Sequence, residues 1–321
     1  MSKLTTIIAS LAMIAFASVA HAWEPTGPVT VVISAPAGSL HDRAFKTVLP
    51  TLEQQTGVEF IINYTPGASG VKGTKYFLSM PKDDHTILVT AGLSQTLNEI
   101  AMPKVVDYNY ETDFVYAGGF VASALGIAAS EDGKIDSIDD FVALLKSGKP
   151  VTVATTYPNQ VALVKLMASK LEADTSNLKF IKYKNPAEAL TDIVGGSVDV
   201  FVGAIAPVVP LYKAGKMRFI AVTSSSRLSY LPDVPAINET FKGVDMPTTM
   251  GVALAAGTSE EVRAWYEAAL IKAVRTQAAE DARAKGFFYV EDQALTGKGL
   301  FESYQETRRT WESTYKEIFS E

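Results

Sequence analysis

Short runs of β-branched residues alternate with amphipathic stretches along most of this chain, and that alternation narrows the fold more than any other feature. Val29-Thr30-Val31-Val32-Ile33 is continuous enough to be buried on both faces of a sheet. A loop, 34–41, follows. The spacing then predicts a helix from about Asp42 to Gln55, with Gly57 as its C-terminal stop. Val58 to Asn63 reads as the next strand. Pro66-Gly67-Ala68-Ser69-Gly70 turns into a second helix that ends near Met80-Pro81, and Thr86 to Thr90 forms a third strand. A β-α-β-α-β order predicts an α/β fold with a parallel sheet covered by helices.

A second αβ series follows Tyr116. Ser137 with Asp140 three residues on resembles a capping box and opens a helix through Leu145. Val151 to Thr155 is a strand, and a helix covers about Val161 to Leu171. Phe180 to Tyr183 is a strand. Asn185-Pro186 supplies an N-cap followed by proline at the first helical position, and Gly195-Gly196 ends that helix. Val198 to Val202 is a strand, Val208 to Lys213 a helix stopped at Gly215, and Met217 to Val222 another strand. Thr258-Ser259-Glu260-Glu261 opens a long helix to about Ala284, and the last helix runs roughly from Gly299 to Phe319. No flexible Gly/Ser linker separates the two series, which favours hinged lobes over independent beads.

The start of the chain reads differently. Lys3 precedes an apolar stretch from Ile7 to Val19, and Ala20-His21-Ala22 has the small-x-small pattern of a cleavage point. The run is too short to span a bilayer, so residues 1–22 are expected to be a secretory signal peptide. Later segments lack 18 uninterrupted apolar residues, which predicts an exported, soluble mature protein.

Composition removes several function classes. There is no cysteine, so a disulfide scaffold, a thiolate nucleophile and a Cys-ligated metal site are excluded. Lys and Arg total 29 against 35 Asp and Glu, a net charge of −6, which argues against a nucleic-acid partner. Beyond the signal segment only His41 and His85 could act as an imidazole base, and no G-x-S-x-G elbow occurs. His85 sits in the polar turn Lys82-Asp83-Asp84-His85. His41-Asp42 lies in a strand-to-helix loop, a functional position in α/β folds. An exported hydrolase or a metal site lacks the further ligands or partners it would need. Gly67, Gly70 and Gly73 match neither a dinucleotide fingerprint nor a Walker loop.

An anion site without catalysis remains. Loops 34–41, 64–70, 90–97 and 155–160 all come at carboxyl ends of predicted strands, where ligands bind in open parallel sheets. Helix N-termini there offer free N–H groups and a positive dipole end. The four loops hold no Lys or Arg, so a bound carboxylate would be gripped by amides and hydroxyls. No cofactor is expected.

The motif order resembles the Bug-type periplasmic solute receptors of tripartite tricarboxylate transporters, from about Pro28 to the last helix. The most specific stretch is Ala187-Glu188-Ala189-Leu190-Thr191-Asp192 with Gly195-Gly196-Ser197-Val198-Asp199. It continues through Lys213-Ala214-Gly215-Lys216-Met217-Arg218, Ala221-Val222-Thr223-Ser224, Leu231-Pro232-Asp233-Val234-Pro235 and Ala256-Gly257-Thr258. The resemblance implies a two-lobed Venus-flytrap architecture, each lobe a mostly parallel sheet flanked by helices. Residues 23–122 and 225–321 would form one lobe and 123–224 the other. It also implies a small organic carboxylate as ligand, membrane subunits of such a transporter as partners, and a monomer. A ligand-sensing receptor feeding a two-component system is the alternative.

The expected ligand-binding residues are Ala37, Gly38, Ser39, Leu40 and His41 in the first loop, and Thr90, Ser94 and Gln95 after the third strand. Thr155, Thr156, Tyr157, Asn159 and Gln160 are expected from the second lobe, with Gly203 and Met250. Asp42 is expected as a helix N-cap supporting the first loop. Several positions depart from the family pattern. The usual Pro-Pro-Gly-Gly-Gly-Thr-Asp stands here as Pro36-Ala37-Gly38-Ser39-Leu40-His41-Asp42. Gly203 replaces a frequent Asp, and Thr248-Thr249-Met250 replaces an aromatic in a late loop. Leu40, Tyr157 and Met250 would then line an apolar section, suiting a carboxylate with an apolar or aromatic body.

Overall fold

The chain crosses twice between two five-stranded sheets, and both crossings join the same ends of those sheets. A computed structural model describes residues 23–156 and 158–319, so the expected signal segment 1–22 and Tyr157 lie outside the described residues. The first series runs β1 (Val29–Ile33), α1 (Leu40–Phe45), α2 (Leu49–Thr56), β2 (Phe60–Tyr64), α3 (Val71–Ser79), β3 (Thr86–Ala91), α4 (Gly92–Ala101) and β4 (Phe114–Ser123). The second runs β5 (Leu125–Ser130), α5 (Ile138–Lys146), β6 (Val151–Thr155), α6 (Pro158–Lys170), β7 (Leu178–Lys182), α7 (Pro186–Val194), β8 (Val200–Ala204), α8 (Ile205–Lys213) and β9 (Met217–Val222). The chain closes with β10 (Thr248–Ala255), α9 (Glu260–Val274), α10 (Gln277–Gly286) and α11 (Gly297–Phe319).

The first sheet has the order β2-β1-β3-β10-β4 and the second β7-β6-β8-β5-β9. In the first, β1 pairs in parallel with β2 and β3, while β10 is antiparallel to β3 and β4. In the second, β6 is parallel to β7 and β8, while β5 is antiparallel to β8 and β9. Each sheet is therefore mostly parallel, with one reversed strand in the same place. Helices cover both faces, as buried parallel strands require. Val31 and Ile33 pack with Phe45, Leu52 and Tyr266 on one face of the first sheet, and Val32 and Leu88 with Phe77 and Tyr304 on the other. In the second sheet Val153 and Val202 pack with Phe141 and Leu163, and Ala128 and Phe201 with Leu190 and Val208.

Several caps stand where the sequence puts them. The side chains of Ser137, Asn185 and Ser259 accept hydrogen bonds from the backbone N–H of Asp140, Glu188 and Val262. Other elements differ. The helix expected from Asp42 to Gln55 is two helices, because Pro50 in the first turn of α2 has no N–H to continue α1. The helix expected to reach Ala284 also divides, where the Thr276 side chain caps α10 by accepting from Ala279 N. The stretch 92–97, read as loop, is the start of α4. The segments 114–123, 125–130 and 248–255 are strands that the sequence reading left unassigned.

The crossing fixes where the two sheets meet. Ser123 ends β4 and Leu125 begins β5, with Ala124 alone between them. Leu125 pairs with Ala204 at the end of β8, so β5 starts at the carboxyl end of the second sheet. On the return, Val222 pairs with Gly126 and Thr248 with Ser123. Both connections thus join carboxyl end to carboxyl end. Thr223, fully buried, holds them together. Its N–H donates to Leu125 O at 2.9 Å and its Oγ1 accepts from Leu125 N at 2.8 Å. Its carbonyl accepts from Met246 N at 2.9 Å. Replacing Thr223 by the near-isosteric Val leaves Leu125 N–H unpaired at the crossing. We expect Thr223→Val to lose about 1–3 kcal/mol of stability in urea denaturation, with the slope unchanged.

Candidate ligand-binding site

The carboxyl end of β1 feeds a loop whose shape is set by one carboxylate. Ser39, and not Asp42, is the N-cap of α1, and its Oγ accepts from Asp42 N at 3.3 Å. Asp42 sits three residues into the turn. Its Oδ2 accepts from Gly38 N at 2.7 Å and its Oδ1 accepts from the Tyr64 hydroxyl at 2.8 Å. Lys46, one turn on, pairs with the same carboxylate at 2.9 Å. Asp42 is 2% exposed. Burial pushes its pKa up, but the Gly38 N–H, Lys46 and the Tyr64 hydroxyl outweigh that, and the carboxyl titrates below its usual value. Asp42 still supports the loop, through Gly38 and not as its cap.

This anchoring leaves Ala37 and Gly38 exposed, and Ser39, Leu40 and His41 half-buried. The His41 ring makes no hydrogen bond to any described residue. Protein hems it in, and desolvation pushes its pKa down to about 4, so the ring is neutral at pH 7. A neutral imidazole offers one N–H donor and one acceptor. His85 is used differently: its Nε2 accepts from Thr26 N at 3.0 Å, pinning the segment before β1.

The neighbouring loop, 66–70, is held in a strained form. Ala68 and Ser69 have φ of 46° and 50° between Gly67 and Gly70 in the same left-handed region. Asn98 Nδ2 donates to Ser69 O at 3.0 Å and ties this turn to α4. Gly73 of α3 backs directly onto Ser34, where a Cβ would lie 2.6 Å from the Ser34 Cα.

After β3 the expected residues separate. Ser94 stays half-buried in the first turn of α4, where its Oγ donates to Ala91 O. Thr90 is 2% exposed, and its hydroxyl is engaged with Tyr304 OH at 2.8 Å and Gly251 O at 3.2 Å. Gln95 is also buried, and its Nε2 has no partner. Both are interior groups: Thr90 is covered by Tyr304 of α11, and Gln95 falls on the buried face of α4. Met250 is 0% exposed and sits with Val252 and Leu254 in the core against α9. Strand alternation gives those three one face, so Met250 does not line an apolar section of the site.

The second sheet brings Thr155, Thr156, Asn159 and Gln160 to its carboxyl end. Thr156 N donates to Gln160 Oε1 at 2.5 Å, and Gln160 Nε2 donates back to Thr156 Oγ1 at 3.1 Å. This reciprocal pair folds the loop before α6. Asn159 remains half-buried and reaches Met246 Sδ at 3.8 Å. Gly203 lies nearby at the end of β8, but it is the Phe201 ring that fills the space beside it, 2.3 Å from where a Cβ would stand. Among the described residues no group of three Asp, Glu or His could hold a metal ion, and no helix is long and apolar enough to cross a membrane.

Tyr64, Lys46 and Asn98 position these loops and were missed in the sequence. The four-residue step from Asp42 to Lys46 was the available signal for one of them. Removing the anchor tests it. Because Asp42 titrates low in the fold, its contribution is present above its unfolded pKa, about 3.9, and is lost as pH falls through its lower folded value. Asp42→Ala is expected to cost about 2 kcal/mol at pH 7, and the gap from the natural protein should close below about pH 4. Thermal unfolding across pH 3 to 8 checks both.

The sequence model of the tripartite tricarboxylate transporter family receptor matches residues 44–306. A UPF0065 protein of Bordetella bronchiseptica is 32% identical over 253 residues, covering 78% of this chain and 74% of that protein. MatC of Rhodopseudomonas palustris, solved with bound malate, aligns with a TM-score of 0.69 at 21% identity, covering 91% of this chain and 100% of MatC. An R. palustris protein solved with adipate gives 0.72 at 19% identity, covering 92% and 98%. At those identities the two structures show a shared fold, that of a two-lobed α/β binding protein. With the family match extending from α1 into α11, the chain belongs to the receptors of the tripartite tricarboxylate transporter family.

Proposed function

We propose that this chain is a periplasmic receptor that captures a small organic carboxylate between two lobes and delivers it to the membrane subunits of its transporter. The lobes are residues 23–122 with 225–321, and 123–224. It acts as a monomer and without catalysis, after loss of residues 1–22. The observation that carries this reading is the meeting of two carboxyl-terminal sheet ends whose loops present backbone, hydroxyl and amide groups with an unpaired neutral imidazole. Malate and adipate in the two R. palustris structures support a carboxylate as the ligand class.

Ser39, His41, Thr156 and Asn159 are the side chains that reach the ligand in this reading, with the amide of Ala37 beside them. Of the two cations at α1 beside the first loop, Lys46 is already spent on Asp42 and Arg43 is exposed. The loops themselves carry no cation, so their own grip on a carboxylate is one of hydrogen bonds. An apolar or aromatic ligand body loses the support of Met250, so short dicarboxylates come first in the panel.

Thermal unfolding of refolded, ligand-stripped protein against organic acids tests this. A ligand specific for the native state adds about 2.7 kcal/mol at a hundredfold excess over Kd. No stabilisation by any acid, in a sample shown to be folded and empty, would overturn the carboxylate reading. For the acid that binds, His41→Ala should weaken affinity about tenfold, the worth of one hydrogen bond. Because His41 is neutral well above pH 4, the affinity should change less than about twofold between pH 6.5 and 9. A steep loss across pH 6 to 7 would instead require a charged ring.

A further inference from the structure

A second recess, of about 300 Å³, opens between α11 and the segments on either side of β10. It shares no lining residue with loops 34–41, 90–97 or 155–160. Its chemistry is the reverse of theirs: four carboxylates line it, and no Lys, Arg or His does.

Two of the four are neutralised at the rim. Glu306 pairs with Arg309 at 2.6 Å and Glu302 with Lys298 at 3.7 Å. The other two are not. Glu291 is 6% exposed, and its carboxylate accepts from the Ser225 hydroxyl, at 3.0 and 3.3 Å, and from the Gln293 amide, both neutral donors. Asp245 is half-buried and has no hydrogen bond or ion pair among the described residues. Burial first, then Glu291 and to a lesser degree Asp245, hold the Tyr289 hydroxyl well above its usual pKa, so both carboxylates act on one spot. Buried charge is ordinarily paired, and an uncompensated carboxylate is costly.

Thr249 points to the same space. Alternation along β10 puts it on the face of Ala253, which packs with Leu300 and Tyr304 of α11. Thr249 is 3% exposed, and its Oγ1 is buried with no hydrogen-bond partner. Trp311, fully buried, forms one wall. The carboxylates are too dispersed to form a metal cluster, and the space exceeds that of a bare ion.

We propose that this recess binds a small organic ammonium ion, with Glu291 and Asp245 as its counter-charges and Thr249 Oγ1 as a hydrogen-bond acceptor. The ammonium supplies N–H donors that the carboxylates and hydroxyls lack, and its methylene groups lie against Trp311. Ser225 follows β9 and Glu291 precedes α11, so the ligand would bridge a crossing segment to the last helix. The site stands apart from the carboxylate site and does not need that reading to hold.

Calorimetry on the full mature chain tests it with methylammonium, 1,4-diaminobutane, tetramethylammonium, calcium and sodium chloride at matched ionic strength. We expect saturable binding of a primary amine, weakened at least tenfold in Glu291→Gln and also reduced in Thr249→Val. Tetramethylammonium, which donates no hydrogen bond, should not compete. Ser303→Leu, which fills the recess from α11 without touching either carboxylate, should abolish amine binding while leaving unfolding cooperative. It carries the test if Glu291→Gln does not fold. Absence of amine binding at millimolar concentration, binding that survives in folded Glu291→Gln or Ser303→Leu, or tighter binding of calcium would each overturn the proposal.

Discussion

The single-residue crossing at Ala124 is the constraint from which the rest of the molecule follows. A strand that leaves the first sheet at its carboxyl end and enters the second at the equivalent end leaves little freedom in how the sheets face each other. The return segment then has to close beside it, and Thr223 makes that closure with both backbone groups and its hydroxyl. Each sheet takes its reversed strand, β10 or β5, from the part of the chain next to a crossing. Loops from both sheets are thereby delivered to one place, although they lie more than a hundred residues apart in sequence. The position of the site is a consequence of topology, and only its chemistry is left to the loop residues.

That chemistry rests on spending the local charge early. Asp42 and Lys46 neutralise each other beneath the first loop, and the carboxylate goes on to fix Gly38 and Tyr64. The loop is held by a charged network that faces the protein, while its outward groups stay neutral. A neutral His41 fits this division. A protonated ring would favour an anion by Coulomb attraction, but the same burial that shapes its surroundings holds the proton off. A neutral hydrogen-bonding surface on an acidic protein discriminates by geometry more than by charge, since misplaced acceptors gain nothing from it.

The readable parts of the sequence are those where local physics decides. β1, with its β-branched run, and the caps at Ser137, Asn185 and Ser259 depend on neighbours within four residues. β4, β5 and β10 do not. Their Gly- and Ala-rich stretches, such as Ala117-Gly118-Gly119 and Ala128-Ala129, have low strand propensity and form strands because neighbours pair along them: β10 along β4 at the sheet edge, β8 and β9 on either side of β5, and β3 and β4 on either side of β10. Missing β10 had a direct cost. Read as loop, Met250 was free to face a ligand; read as strand, its alternation with Val252 and Leu254 commits it to the core. Thr90 and Gln95 failed for a related reason. Their position at a strand end was legible, but Thr90 is covered by Tyr304 of α11, some two hundred residues later, and Gln95 falls on the buried face of α4. Ser39 and His41 stay half-buried on a first loop that is anchored locally.

The last helix sets which relative motions are open to the two sheets. α11 places Leu300 and Tyr304 in the core of the first sheet and Trp311 and Tyr315 in that of the second. Arg308, between them, donates to Thr96 O and pairs with Glu99 of α4 and Glu312 of its own helix. A continuous helix of 23 residues does not shorten or bend cheaply without proline or a bulge. Sliding one sheet past the other would pull either Tyr304 or Trp311 out of a close-packed core, at several kcal/mol for each large aromatic exposed. Rotation about an axis near α11 and the Ala124 crossing leaves both anchors seated. Such a rotation changes the separation of the loops while disturbing the cores least. Closure on a ligand then trades loop contacts against little buried area. In that balance hydrogen bonds worth about 1 kcal/mol each are enough to shift the population.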